Sequence, residues 1–280
     1  RIRAIVRDLD KMAGGFAKLL IATCIGLAAC TSPEELEQEA GVDEEETGET
    51  SAEAAVPDTD GAAREISEET DLYAFSFSYP ETLGAIPALK DRLDEQANRE
   101  EADLQRAARD ASREAREEGF PYNRFMVTIE WRLAGKTEDW LSLVENGATY
   151  FGGAHGNYGL SSVLWNVGSQ RLLEPIMLFE SEEALAEALG TRFCDALDAQ
   201  RMARRGGELG DSDDMFDRCP GLEELELVLL SNGEKFDRLM LYAAPYVAGP
   251  YAEGDYQVEL SVDDAIRGAV KARYREDFIS

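Results

Sequence analysis

An α+β domain with a mainly antiparallel sheet and two principal helices is the fold predicted by this sequence, and three observations carry the prediction. Short runs alternating apolar with polar or small residues, the pattern of half-buried strands, recur from Leu72 onward. Two longer stretches instead repeat their apolar residues at helical spacing. Several strand-like runs follow one another across short turn signals, so a meander is the simple arrangement, and no internal repeat is evident.

The N-terminal stretch does not belong to that fold. Arg1 is not an initiator, so Met12 is the expected start; Lys18 and the apolar run from Leu19 to Ala29 follow it. Positive, then apolar, then small is the order of a secretory signal. The run holds about a dozen residues, against the ~20 of a membrane-spanning helix. It ends in Leu27-Ala28-Ala29-Cys30, a lipobox, in which small residues fit the lipoprotein signal peptidase and the Cys30 thiol takes the diacylglycerol. A buried helix with a chance cysteine is the alternative. Residues 1–29 are therefore read as an N-terminal extension and signal peptide, and the chain as held to a membrane by a lipid on Cys30. Cys24 would leave with the signal. Thr31, where Asp would retain the protein in the inner membrane, points to the outer membrane facing the periplasm in a Gram-negative cell, or otherwise to the cell surface.

Residues 30–71 change at once to Glu, Ala, Thr, Gly and Pro, with 16 acidic residues and one basic residue, Arg64, between Thr31 and Asp71. Like charges repel and few apolar groups offset the ordering entropy, so this segment is expected to be a disordered acidic spacer. Residues 72–280 are read as the folded domain. They carry 22 basic and 39 acidic residues, a net charge of −17, within a chain at −29. A polyphosphate backbone would be repelled, which excludes nucleic acid as a partner; a basic partner or simple solubility fits.

Within the domain, Tyr73–Tyr79 alternates aromatic and small residues until Pro80 stops it, as a first strand would. Residues 88–118 place Leu89, Leu93, Ala97, Leu104, Ala108, Ala111 and Ala115 along one helical stripe, ended by Gly119 and Pro121. Strands are expected at 124–133, 140–146 and 160–167. A helix over 181–204 follows, opened by Ser181 with Glu182 and Glu183 and buried through Leu185, Leu189, Phe193 and Leu197. Residues 206–217 read as a polar loop, then strands at Glu226–Ser231, 238–244 and Tyr256–Ser261, and a short helix at 263–271.

Cys194 and Cys219 remain in the domain, and an exported compartment lets them oxidise, closing a loop of about 25 residues. A zinc site is the alternative, but no Cys-x-x-Cys spacing exists and the chain's one histidine is distant in sequence. Two glycine-rich segments read as shaped loops: Tyr150-Phe151-Gly152-Gly153-Ala154-His155-Gly156-Asn157, and the run from Ala244 to Gly254. His155 lacks a sequence-local partner for acid–base or metal chemistry, and neither a Gly-x-Ser-x-Gly elbow nor a phosphate-binding glycine loop is present. No cofactor is expected.

Tyr150 to Gly156, read as Tyr-Phe-Gly-Gly-Ala-His-Gly, resembles the Tyr-x-Gly-Gly-Ala-His-Gly hallmark of the extracytoplasmic module in RsiV-type anti-sigma factors and PdaC-type peptidoglycan deacetylases. Pro250-Tyr251-Ala252-Glu253-Gly254 is similar to that module's Pro-Tyr-Ala-x-Gly segment, and Leu172 to Phe179 sits where the family ends a strand and starts a helix. In the RsiV-type proteins the module binds lysozyme. The resemblance implies a binding module for a lysozyme-like protein or peptidoglycan, with Tyr150, Gly152, Gly153, His155, Gly156, Pro250 and Tyr251 as candidate ligand contacts. Neither a sigma-binding segment nor a deacetylase catalytic domain is read in this chain, so no enzymatic role is expected. Two alternatives stay open: an enzyme acting on envelope glycans through His155, or a structural envelope lipoprotein without a small ligand.

Overall fold

A computed structural model describes residues 63–207, 209–210 and 216–279; the signal peptide, Cys30 and most of the acidic spacer lie outside the described residues. The strands fall into two sheets. The larger runs in sequence order through β1 (Arg64–Glu69), β2 (Tyr73–Tyr79), β3 (Phe125–Lys136), β4 (Trp140–Tyr150), β5 (Asn157–Asn166) and β6 (Arg171–Leu173). The smaller holds β7 (Glu226–Ser231), β8 (Phe236–Ala243) and β9 (Tyr256–Ser261). Every neighbouring pair is antiparallel except β2 and β3. Those two run parallel because a one-turn helix, α1 (Glu81–Gly84), and the long α2 (Pro87–Glu118) carry the chain back to the starting end. The α+β class with mainly antiparallel pairing is thus observed.

Strand β1 corrects the boundary read at Leu72. Its charge count looks like spacer, yet Arg64 through Glu69 pair with Tyr79 through Ala74, residue for residue. Glu65, Ser67 and Glu69 face solvent while Ile66 is half-buried against the core, and the Tyr73 hydroxyl donates to Glu68. Cross-strand pairing satisfies the backbone of a segment whose composition argued against order, so the folded part begins no later than Arg64.

Four layers result. The α2 stripe, including Leu89, Leu93 and Ala97, packs on Phe75, Phe77, Ile129 and Leu143 of the large sheet. The opposite face of that sheet presents Val144 and Leu160 to Val228, Met240 and Tyr242 of the small sheet. Leu229, Leu239, Leu241 and Val258, on the small sheet's far face, meet Leu185, Leu189, Phe193 and Leu197 from α3 (Glu182–Leu189) and α4 (Arg192–Arg205), and Ile266 from α5 (Asp264–Ala269). The helix expected over 181–204 is two helices: Ser181 caps the first, accepting from the Ala184 amide at 3.1 Å, and Gly190, at φ 57°, turns the chain before α4. Its apolar stripe stays continuous across the break. No helix among the described residues is long and apolar enough to cross a membrane.

The sheets touch backbone to backbone where β3 bulges between Leu133 and Gly135. A side-chain carbon on Gly135 would stand 3.0 Å from both the Leu229 carbonyl and the Ser231 amide of β7, and the Lys136 amide donates to Ser231 Oγ at 2.7 Å. A side chain there would force the β7 backbone to give by a few tenths of an ångström. Cys194 on α4 is bonded to Cys219, with Cα atoms 5.5 Å apart.

Two outcomes follow for stability. Gly135→Val should lower the free energy of unfolding by about 1–3 kcal/mol through overpacking, read from urea midpoints, whereas Gly168→Ala, on an exposed turn, should leave them near wild type. Cys194→Ala, or reduction of the bridge, should cost roughly 2–4 kcal/mol by freeing a loop of 25 residues; equal melting with and without reductant would contradict this.

Candidate functional site

The two glycine-rich segments, one between β4 and β5 and the other between β8 and β9, meet at one end of the domain. In the first, Gly152 adopts φ 83° to turn the chain back after Tyr150 and Phe151. Gly156 follows, and a side-chain carbon there would lie 2.8 Å from the Thr149 carbonyl, so no other residue fits without moving the backbone. In the second, a turn at Tyr246, held by the Tyr246 amide donating to the Gly249 carbonyl at 3.0 Å, leads into a short 3-10 turn at Tyr251–Glu253.

The Gly156 carbonyl is the joint between them. It accepts from the Tyr251 hydroxyl at 2.7 Å, across 95 residues of sequence, and from His155 Nδ1 at 2.8 Å. A carbonyl only accepts, so Nδ1–H donates to it, and Nε2 lies within hydrogen-bond distance of the Tyr246 hydroxyl at 3.2 Å. The rings stack accordingly: His155 and Tyr251 lie 4.0 Å apart at 25°, Tyr246 is 5.6 Å from Tyr251, and Tyr158 meets Tyr251 edge-on at 6.1 Å. Tyr246 is 51% and Tyr158 40% exposed. Such clusters offer flat apolar faces with polar rims, which suits recognition of a ligand that is itself apolar on one side and polar on the other.

Of the residues singled out in the sequence, His155, Gly156 and Tyr251 come into direct contact. Gly152, Gly153 and Pro250 shape the turns, and Tyr150 ends β4 opposite Met126. Tyr246 and Tyr158 belong to the cluster but carried no motif of their own. Both nitrogens of His155 are engaged, and no group of three or more His, Cys, Asp or Glu among the described residues is placed to hold a metal ion.

What holds the second segment in place is a set of arginines on α4 that the sequence reading passed over. Arg201 is fully buried; it donates to the Ala248 carbonyl at 2.9 Å, to the Arg218 carbonyl at 2.9 Å, and to Asp198 at 3.0 Å. Arg204 donates to the carbonyls of Glu253 and Asp255 at 2.7 and 2.6 Å and lies over the Tyr256 ring at 3.9 Å. Arg205 grips both oxygens of Glu253 at 2.9 and 3.1 Å and pairs with Asp217. Burial pushes the Glu253 carboxyl up, but hydrogen bonds from Arg205 and Tyr256 outweigh it and hold the group below its ordinary value of 4.5. The one sequence signal for this clamp was spacing: positions 201, 204 and 205 share a helix face.

The fold and site thus define a two-sheet α+β module that presents an aromatic cluster on paired glycine-rich loops. Residues 66–158 match the family model described as deacetylase PdaC, a stretch that takes in the first glycine-rich segment but not the second. Among solved structures, a DUF3298 family protein from Pseudomonas aeruginosa PAO1 superposes with a TM-score of 0.52 at 12% identity, covering 78% of this chain and 96% of that one. A DUF3298 family member from Bacteroides fragilis NCTC 9343 gives 0.47 at 18% identity, covering 75% and 96%. The Pseudomonas likeness is one of fold. No curated protein matches.

Arg201→Met should cost about 1–3 kcal/mol for each buried carbonyl it leaves without a donor, and Arg205→Ala about 1–3 kcal/mol. Because Glu253 sits below 4.5 when folded, its contribution is complete above that value and lost as pH falls through the lowered one. Stability measured from pH 6 to 3 should therefore fall less steeply in Arg205→Ala than in wild type; parallel curves would argue against the clamp.

Proposed function

We propose that this chain is a lipid-anchored, extracytoplasmic binding module for a cell-envelope ligand, peptidoglycan or a lysozyme-like protein, and not an enzyme. The observation that carries this reading is the union of two distant glycine-rich segments in one exposed aromatic cluster around His155, Tyr246 and Tyr251. Such a surface recognises by stacking and hydrogen bonding, and the residues that build it spend their polar atoms on one another. The lipobox ending in Cys30 supports the anchor, and the net charge of −17 across residues 72–280 favours encounter with a basic protein such as a lysozyme. An envelope-glycan enzyme is the second reading, favoured by the deacetylase description of the matching family. His155 Nδ1 lies against the Gly156 carbonyl and Nε2 against the Tyr246 hydroxyl, so substitution of His155 separates the two readings.

Sedimentation with insoluble peptidoglycan and capture on immobilised lysozyme, each at low and high salt, test the proposal. Tyr251→Ala and Tyr246→Ala should each weaken retention about tenfold or more, as loss of an aromatic anchor does. His155→Phe keeps a ring in the stack and removes acid–base capacity, so it should retain most binding. Release of product from labelled wall that disappears in His155→Phe would favour the enzyme instead, and a chain that ignores both ligands at low salt would overturn the binding reading.

A further inference from the structure

Beside the aromatic cluster the two sheets leave a cleft of about 470 Å³, within the size range of small-ligand sites. One wall is the face of β3, β4 and β5 turned away from α2, where Glu130, Asn146 and Tyr158 stand; the other is β8 and β9, with Tyr242, Asp255 and Gln257. Apolar Ala148, Leu160 and Met240 line the space between. Tyr158 belongs to both regions, since it lines the cleft and meets Tyr251 edge-on.

The polar groups come as amide and carboxylate pairs, one on each wall. Asn146 donates to Glu130 at 3.4 Å and Gln257 to Asp255 at 2.8 Å. A carboxylate accepts up to about four hydrogen bonds and an amide group offers two donors and an acceptor, so each pair keeps capacity for a ligand. Burial, followed by the charge of Asp255 and the nearby Tyr158 and Glu226, pushes the Tyr242 phenol up, so it stays a hydroxyl.

These features discriminate between ligand classes. The lining carries two carboxylates, Glu130 and Asp255, and one cation, Arg132, which already lies 3.6 Å from Glu130, so an anion is disfavoured. An extended peptide gains little, because the walls are sheet faces and the carbonyls of Asp255, just before β9, and of Gln257 within it are taken by Arg204 at 2.6 Å and Gln200 at 2.8 Å. A purely apolar ligand would strip water from both carboxylates without replacing it. A pyranose ring has an apolar C–H face to lay on Leu160, Met240 and the Tyr158 ring, and an edge of hydroxyls for the amide and carboxylate pairs.

We propose that the cleft is a sugar-binding groove for a short, uncharged oligosaccharide, with Tyr158 as the platform that leads from it to the His155 and Tyr251 stack. The inference rests on the binding reading of the loops and narrows it to the glycan of the envelope.

Titration of the whole chain with the β-1,4-linked tetramer of N-acetylglucosamine, followed through the methyl resonances of Ala148, Leu160 and Met240, is the test. All three should shift and saturate together. Gln257→Ala, at an exposed position, should weaken the tetramer about tenfold, the size of one lost charge-assisted contact network. Thr128→Trp, which fills the cleft from β3, should abolish binding, and thermal melts establish that each variant is folded. Should the tetramer move only resonances around His155, or bind both variants as well as wild type, the groove is not the site. Retention on insoluble peptidoglycan that needs Tyr251, with no response to the tetramer, overturns the groove and leaves the loop reading standing. Failure of both ligands removes both.

Discussion

The docking of the small sheet across the large one, through the bare Cα of Gly135, is the constraint on which the rest of the molecule depends. One half of the aromatic cluster is carried by the turn between β4 and β5, the other by the connection between β8 and β9, and they belong to different sheets. The hydrogen bonds converging on the Gly156 carbonyl are short-range and directional, so a displacement of β7 relative to β3 by the radius of one methyl group would pull the two loops out of register.

Helix α4 is the second organiser, and its residues divide the labour by position. Phe193 and Leu197 fix it to the small sheet, Cys194 ties it to Cys219, and Arg201, Arg204 and Arg205 hold the loop that carries Tyr246 and Tyr251. Arg201 and Arg205 also reach the backbone and side chains of residues 216–218, next to the disulfide. Covalent bridge, buried guanidinium and aromatic loop are in this way one connected structure.

The parts legible in the sequence were those in which local pattern and tertiary role agree. The alternation of Tyr73, Phe75, Phe77 and Tyr79 buries the face that its spacing announces, the α2 stripe does so from Leu89 to Ala108 and again at Ala115, with Ser112 buried in place of Ala111, and β7 and β9 have the expected bounds to the residue. Strand β1 was hidden because acidic composition dominates six residues whose order comes from a partner strand, and the break at Gly190 because the apolar stripe runs through it. The site was legible in half: glycine clusters and the lone histidine stand out in a linear reading. Tyr158 and the α4 arginines do not, since surface-like residue types become site-building ones only through contacts about 50 residues or more away in sequence.

Strand β1 sets how the domain would bear load. Its first residue, Arg64, pairs with Tyr79, on the rung next to that of Ser78 and Glu130, whereas the loops bearing His155 and Tyr251 lie toward the other end, where Glu69 pairs with Ala74 and Met126 with Tyr150. Tension entering the chain ahead of Arg64 and opposed by a ligand gripped at those loops runs along the strand axis. The six residue pairs of β1 and β2 would then be strained together, in shear, instead of opening one after another from an end. Strands loaded in this direction resist pulling better than strands peeled apart, so under the proposed anchoring a domain with this entry point would keep its grip on a ligand that is itself attached to a moving or stretched surface.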